Sequence, residues 1–159
     1  MRPHPRAALS LLALLLFAPA ARPQKAEAPA LLTVAEKSSY KATSRHAEVV
    51  GFCDRLAKLS PLVRLGELGK SGEGRKLPLV ILADPPVSTP EQAARSGKLV
   101  VFAMGNIHAG EVDGKEALLM LARDLALAAD RPLLKDLVLV FAPIFNADGN
   151  EKMGKNRPE

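Results

Sequence analysis

"KLVVFAMGNIHAGEVDGKEALLMLARDLALAA", Lys98 to Ala129, decides how the chain folds. It opens on "KLVVFA", a continuous apolar run of the kind expected in a strand buried on both faces. After "MGNIHAGEVDG" the apolar residues Leu118, Leu119, Leu121, Ala122, Leu125 and Leu127 recur at helical spacing. They predict a helix from about Val112 to Ala129 with a broad apolar stripe. Gly105 and Gly110 let the backbone turn between the two elements. Past the helix, "DRPLLKD" turns the chain into "LVLVFAPIF" (Leu137–Phe145), a second fully buried strand. Strand, helix and strand with a short return describe a right-handed parallel crossover.

Working outward, "LVRLGELG" and "KLPLVILA" read as two short strands of a hairpin. The "KSGEGR" between them holds Gly72 and Gly74, which suit a tight reversal. Upstream, Ser44 is placed to cap a helix carrying Val49, Val50, Phe52, Cys53, Leu56 and Leu59 at helical spacing, ended by Pro61. "DPPVSTPEQAARSG" is a Pro-rich surface loop, and the tail after Phe145 is polar and turn-rich. No internal repeat is visible. The fold class is α/β, a mixed, mostly parallel sheet with helices on both faces.

The chain has 159 residues, 48% hydrophobic and 25% charged, enough for one packed core. Aromatics are only 4% and Trp is absent, so that core must be aliphatic. Residues 1–21 follow the plan of a secretory signal peptide: basic "MRPHPR", an apolar run of about a dozen residues, then small residues at "APAA". The run falls well short of the roughly 20 residues that span a bilayer. The expected location is therefore secreted or periplasmic, without stable membrane insertion after cleavage near Ala20 or Ala21. Residues 22–43 read as a linker or loose lead-in, and 44–159 as the folded part. Losing Arg2 and Arg6 takes the net charge from +5 to +3. The remaining basic residues are scattered and lack interleaved aromatics, so nucleic-acid binding is not supported. Cys53 is alone in the sequence, which excludes an internal disulfide, and reads as a buried, inert thiol.

Function in open α/β sheets gathers at the carboxyl ends of parallel strands. His108 and Glu111 sit just past one such end, and Asn146 and Asp148 just past the other. Adjacent parallel strands would bring both pairs to one edge. Histidine and glutamate three residues apart at a helix start can point the same way. They are two of the ligand types a catalytic zinc takes; they equally suit an acid/base pair without metal. The bland alternative makes Glu111 a dipole-favoured residue of the first helical turn and His108 a turn residue.

"GNIHAGEVDGKEAL" resembles the first metal-binding motif of the zinc carboxypeptidases, the M14 metallopeptidase family. "LGELGKSGEGRKLPLVIL" resembles the family's early hairpin with its Gly-x-Ser and Glu-Gly-Arg elements. "FNADGNEKMGKNRP" resembles its Asn-Pro-Asp-Gly segment and following Asn-Arg, with Ala147 in place of the proline. The resemblance runs from about Ser44 to Glu159 and implies that His108 and Glu111 are ligands of Zn2+. It implies a peptide or protein C-terminus as substrate, and a contact of Arg157 with that substrate. Asn146, Asp148 and Gly149 are read as fixing a turn, and Glu73 and Arg75 as hairpin residues. Animal digestive members carry arginine before the glutamate; Gly110 stands there, which suggests a bacterial-type branch.

The resemblance also implies an eight-stranded sheet in the order 1-2-4-3-5-8-6-7, with strand 2 antiparallel to its neighbours. Four of those strands fall in this sequence, leaving "KLVVFA" with an open apolar edge. The second histidine ligand, the glutamate general base and the pair that grips the substrate carboxylate are expected downstream of Glu159. His4 lies in the signal peptide and His46 precedes the first strand, so neither replaces the ligand. The expected function is a secreted zinc metallocarboxypeptidase whose residues here bind zinc weakly and hydrolyse nothing alone. A zinc-dependent deacylase of N-acyl amino acids on the same fold, or a non-catalytic secreted binding domain, are the alternatives.

Overall fold

The computed structural model describes residues 31–152; the expected signal peptide and Arg157 lie outside them. Four strands, β1 (Val63–Lys70), β2 (Lys76–Leu82), β3 (Leu99–Met104) and β4 (Leu137–Ala142), form one sheet in the order β1-β2-β4-β3. That order is the one the resemblance implies for its first four strands. The helices are α1 (Val34–Lys37), α2 (His46–Leu59), α3 (Pro90–Arg95), α4 (Val112–Leu127), α5 (Pro132–Asp136) and α6 (Ala147–Glu151).

The expectation of a mostly parallel sheet is corrected: two of its three pairings are antiparallel. β4 inserts between β2 and β3, so the hairpin joins the parallel β3–β4 pair through an antiparallel ladder, Val80↔Phe141 to Leu82↔Leu139. β2 alone runs against the other three strands.

Alternation sorts the strand residues to two faces. Val80, Leu82, Leu139 and Phe141 pack against Val49, Phe52, Cys53 and Leu56 of α2 and Leu119, Ala122 and Ala126 of α4. Val138 on the opposite face meets Val87 and Ala93, the latter on α3, with Ile81 and Val140 beside them. The loop expected before β3 thus contains a short helix, started by Pro90 and capped by the Thr89 hydroxyl accepting from Gln92 N–H at 3.2 Å. "DRPLLKD" likewise winds into α5, which buries Leu134.

β4 is buried as its apolar run predicts. β3 is not: Leu99 is 67% exposed and Phe102 49%. It bonds to β4 along one edge, and its other edge has no partner among the described residues. An apolar run reports affinity for a covered position; it does not report whether a covering element is present.

α2 starts one residue later than the serine cap implies. Arg45 occupies the cap position, its N–H donating to the Glu48 carboxylate at 2.8 Å. Ser44 is buried instead, and its carbonyl accepts from Lys115 Nζ and Asn150 Nδ2. Burial, reinforced by Asp54, pushes the Cys53 thiol up to about 12, consistent with an inert side chain.

The lead-in is docked from residue 31 onward. Leu31 and Ala35 are buried. Thr33 and Glu36 cap α1 reciprocally. The Glu36 carboxylate also receives Arg123 of α4 at 2.6 and 2.8 Å. No helix of the described residues is long and apolar enough to cross a membrane.

Candidate metal centre

The strand-to-helix passage is built on close backbone contact. A Cβ on Gly105 would lie 2.8 Å from the carbonyl carbon of Gly114 in the first turn of α4. Only glycine lets the first turn of α4 pack this closely on the backbone just past β3. Hydrogen bonding then continues beyond the strands: Gly105 N–H donates to Ala142 O at 2.9 Å, Phe145 N–H to Gly105 O at 3.0 Å, and Asn146 N–H to Asn106 O at 2.8 Å. The two loops that follow β3 and β4 are thereby held side by side.

Asn106 organises the first of them. Its φ of 54° lies in the left-handed region, which asparagine tolerates better than most residues. The buried side chain donates through Nδ2 to the carbonyls of His108 (3.1 Å), Ala109 (3.4 Å) and Glu111 (3.3 Å), gathering the loop around itself.

This ring presents His108 and Glu111 outward, their side chains 56% and 65% exposed, with Nδ1 and Oε1 3.0 Å apart. Glu111 stands at the N-cap position of α4, where the helix dipole favours a carboxylate, but its side chain bonds no helix amide. Its carboxylate is turned to His108, and that hydrogen bond holds it below the ordinary carboxylate range. Two atoms bound tetrahedrally to one zinc at about 2.0–2.1 Å lie about 3.3 Å apart. The observed separation is close to that, and imidazole nitrogen with carboxylate oxygen is a donor pair zinc accepts. The two residues fit the metal as two ligands.

Among the described residues no group of three or more His, Cys, Asp or Glu side chains gathers as a metal site. His46 is engaged elsewhere, Nε2 donating to the Lys76 carbonyl at 2.7 Å. Arg157 lies outside the described residues.

The second loop does what its sequence suggests and more. Asn146 Oδ1 accepts from Gly149 N–H at 2.9 Å and fixes the turn into α6. Asp148, expected to fix only its own turn, reaches across to the hairpin. It accepts from Ser71 Oγ (2.6 Å), Arg75 Nη1 (2.6 Å) and Glu73 N–H (2.9 Å). Arg75 also pairs with Glu73 at 2.5 Å. Ser71 foremost, then the Glu73 amide and Arg75, hold Asp148 below the ordinary carboxylate range.

Sequence reasoning missed Asn106 and Gly114, and missed the buried pair Lys115 and Glu116 behind the site. Lys115 Nζ meets Asn150 Oδ1 as well as Ser44 O, while Glu116 Oε1 accepts from Thr43 Oγ1 (2.8 Å) and Ser44 N–H (2.6 Å). Adjacent charged residues on a helix ordinarily signal a solvated face, and nothing local marks these as buried.

Known proteins share this fold. The sequence profile of the family described as zinc carboxypeptidase matches residues 49–158. Carboxypeptidase 2 of Trichophyton rubrum is 33% identical over 109 residues, covering 67% of this chain and 20% of that protein. The chain thus spans about a fifth of the length of the curated relatives it matches. The crystal structure of carboxypeptidase A from Helicoverpa armigera superposes with a TM-score of 0.58 at 25% identity, over 67% of this chain and 25% of that one. Bovine thrombin-activatable fibrinolysis inhibitor, solved in complex with tick carboxypeptidase inhibitor, shares the fold at 18% identity and a TM-score of 0.61. That match covers 75% of this chain and 36% of the other.

Proposed function

The chain belongs to the zinc carboxypeptidase family, and from that premise we propose that it contributes His108 and Glu111 as zinc ligands to a metallocarboxypeptidase acting on peptide C-termini. The observation that carries this reading is the 3.0 Å approach of Nδ1 and Oε1 where a strand feeds a helix. Bound there, zinc would polarise the scissile carbonyl and activate water. The chain's own part is to offer two outward-facing donors on a loop that Asn106 and Gly105 hold to the sheet. No third His, Cys, Asp or Glu gathers with them among the described residues, so the proposal leaves the remaining ligand and the general base to other residues of the enzyme.

Three finer points go with this proposal. Residues 1–21 are a signal peptide and the protein is secreted or periplasmic, supported by the basic, apolar and small-residue order of that stretch. Gly110, standing where animal digestive enzymes carry arginine, supports a bacterial-type branch. A contact of Arg157 with substrate rests on its place in "NRP" alone.

The test is hydrolysis by the protein as its gene encodes it. Release of the C-terminal residue from hippuryl peptides should cease on chelation, return with added zinc, and be abolished by Glu111→Ala. Preference for N-acyl amino acids would reassign the site to deacylation. Absence of zinc uptake, with His108→Ala unchanged from the parent, would make this a binding domain. Residues 22–159 alone should bind zinc weakly and release no product.

A further inference from the structure

The three motifs of the sequence meet in one continuous set of contacts. The hairpin tip is closed on itself: Ser71 N–H donates to Arg75 O at 2.9 Å, Gly74 N–H to Ser71 O at 3.0 Å, and Arg75 N–H to Ser71 Oγ at 3.0 Å. Asp148 seizes that tip with both carboxylate oxygens, through Ser71, Glu73 N–H and Arg75. The next residue, Gly149, sits so tightly on the metal loop that a Cβ there would lie 2.7 Å from Ala109 Cβ. Ala109 is completely buried and stands between His108 and Glu111. Hairpin, Asp148, Gly149, Ala109 and the two donors form an unbroken path.

We propose that Asp148 is a positioning residue: by clasping the β1–β2 hairpin it seats Gly149 against Ala109 and fixes His108 and Glu111 for a shared divalent cation. An ordinary turn aspartate bonds its own backbone; this one spends both oxygens on a distant hairpin. The side chains of His108 and Glu111 are 56% and 65% exposed, whereas Ala109 between them is buried. Gly105, Asn106 and Ala109 are the buried residues of this loop, and Ala109 is the one that meets Gly149. Partners behind a metal ligand are worth about 10–100-fold in affinity where they orient it. The metal part of this inference rests on the function proposed above; the mechanical part does not.

Two readouts on the full chain separate them. Amide hydrogen exchange should quicken by about tenfold at residues 106–111 in Asp148→Asn, with Leu139 to Phe141 of β4 unchanged. Zinc titration by calorimetry should show affinity about tenfold weaker in the same variant. Ser71→Ala removes one donor and should move both quantities in the same direction by less, which keeps the test available if Asp148→Asn folds poorly. Unchanged exchange in the loop, or equal loosening of loop and β4, overturns the clasp. Faster loop exchange with no zinc uptake by parent or variant supports the clasp and overturns the metal reading. His108→Ala should abolish zinc uptake while leaving exchange at Ser71 to Arg75 as it was.

Discussion

Gly105 and Gly66 are both strand-associated glycines, yet substitution should separate them. A Cβ on Gly105 meets the backbone of Gly114 at 2.8 Å and has nowhere to go, whereas one on Gly66 would rest at an ordinary 3.5 Å from Leu79 Cβ. Gly105→Ala should cost about 3 kcal/mol in urea unfolding, and Gly66→Ala about 0.5 kcal/mol or less. Acid should act at the same scale through Asp148, whose folded-state value is lowered first by Ser71. A lowered carboxylate stabilises the fold above its ordinary range and loses that contribution as pH falls through the folded value. The urea midpoint of the parent should therefore exceed that of Asp148→Asn near neutrality and converge on it in acid. His108 and Glu111 were legible in the sequence because their relation is local, three residues apart at a helix start. Asp148 was not, because its partners lie 73 to 77 residues away.

At the scale of elements, the covering of β3 and the docking of α1 carry the consequences. Among the described residues β3 offers Leu99, Val100, Val101, Phe102 and Met104 to solvent along an unpaired edge, with no charge or proline between them. Such an edge pairs with other chains. In residues 22–159 taken alone, Phe102→Lys should shift concentration-dependent association toward monomer in analytical ultracentrifugation, with stability changed by about 1 kcal/mol or less because the residue is half exposed. α1 is held by Leu31, the Thr33–Glu36 cap and Arg123. Burial pushes the Glu36 carboxyl up, but Arg123 and Thr33 outweigh it and leave the group below its ordinary range. Glu36→Ala should cost about 2 kcal/mol and open residues 31–43 to limited proteolysis. The alanine- and lysine-rich composition of the lead-in concealed this docking, since it is made by one capped turn and a single ion pair. Hydrophobic spacing located α2, α4 and β4 because each presents a covered stripe or face to the core. The same spacing could not say that β3 lacks cover among the described residues.

For the molecule as a whole, the α/β class and the strand order followed from the run of elements and from the family motifs. The balance of parallel and antiparallel pairing did not, since it depends on β4 entering between two strands already made. Among the four strands of the sheet, β4 is the only one bonded to both the hairpin and β3. During synthesis the hairpin can close once Leu82 has emerged, whereas Leu99–Met104 then waits, without a mate, for Leu137 and the residues after it. At ~5–20 residues per second that interval lasts on the order of seconds. Throughout it, the most apolar segment of the nascent sheet is available to whatever meets it at the ribosome. The insertion of one late strand thus makes translation speed, and the helpers that shield emerging chains, determinants of yield.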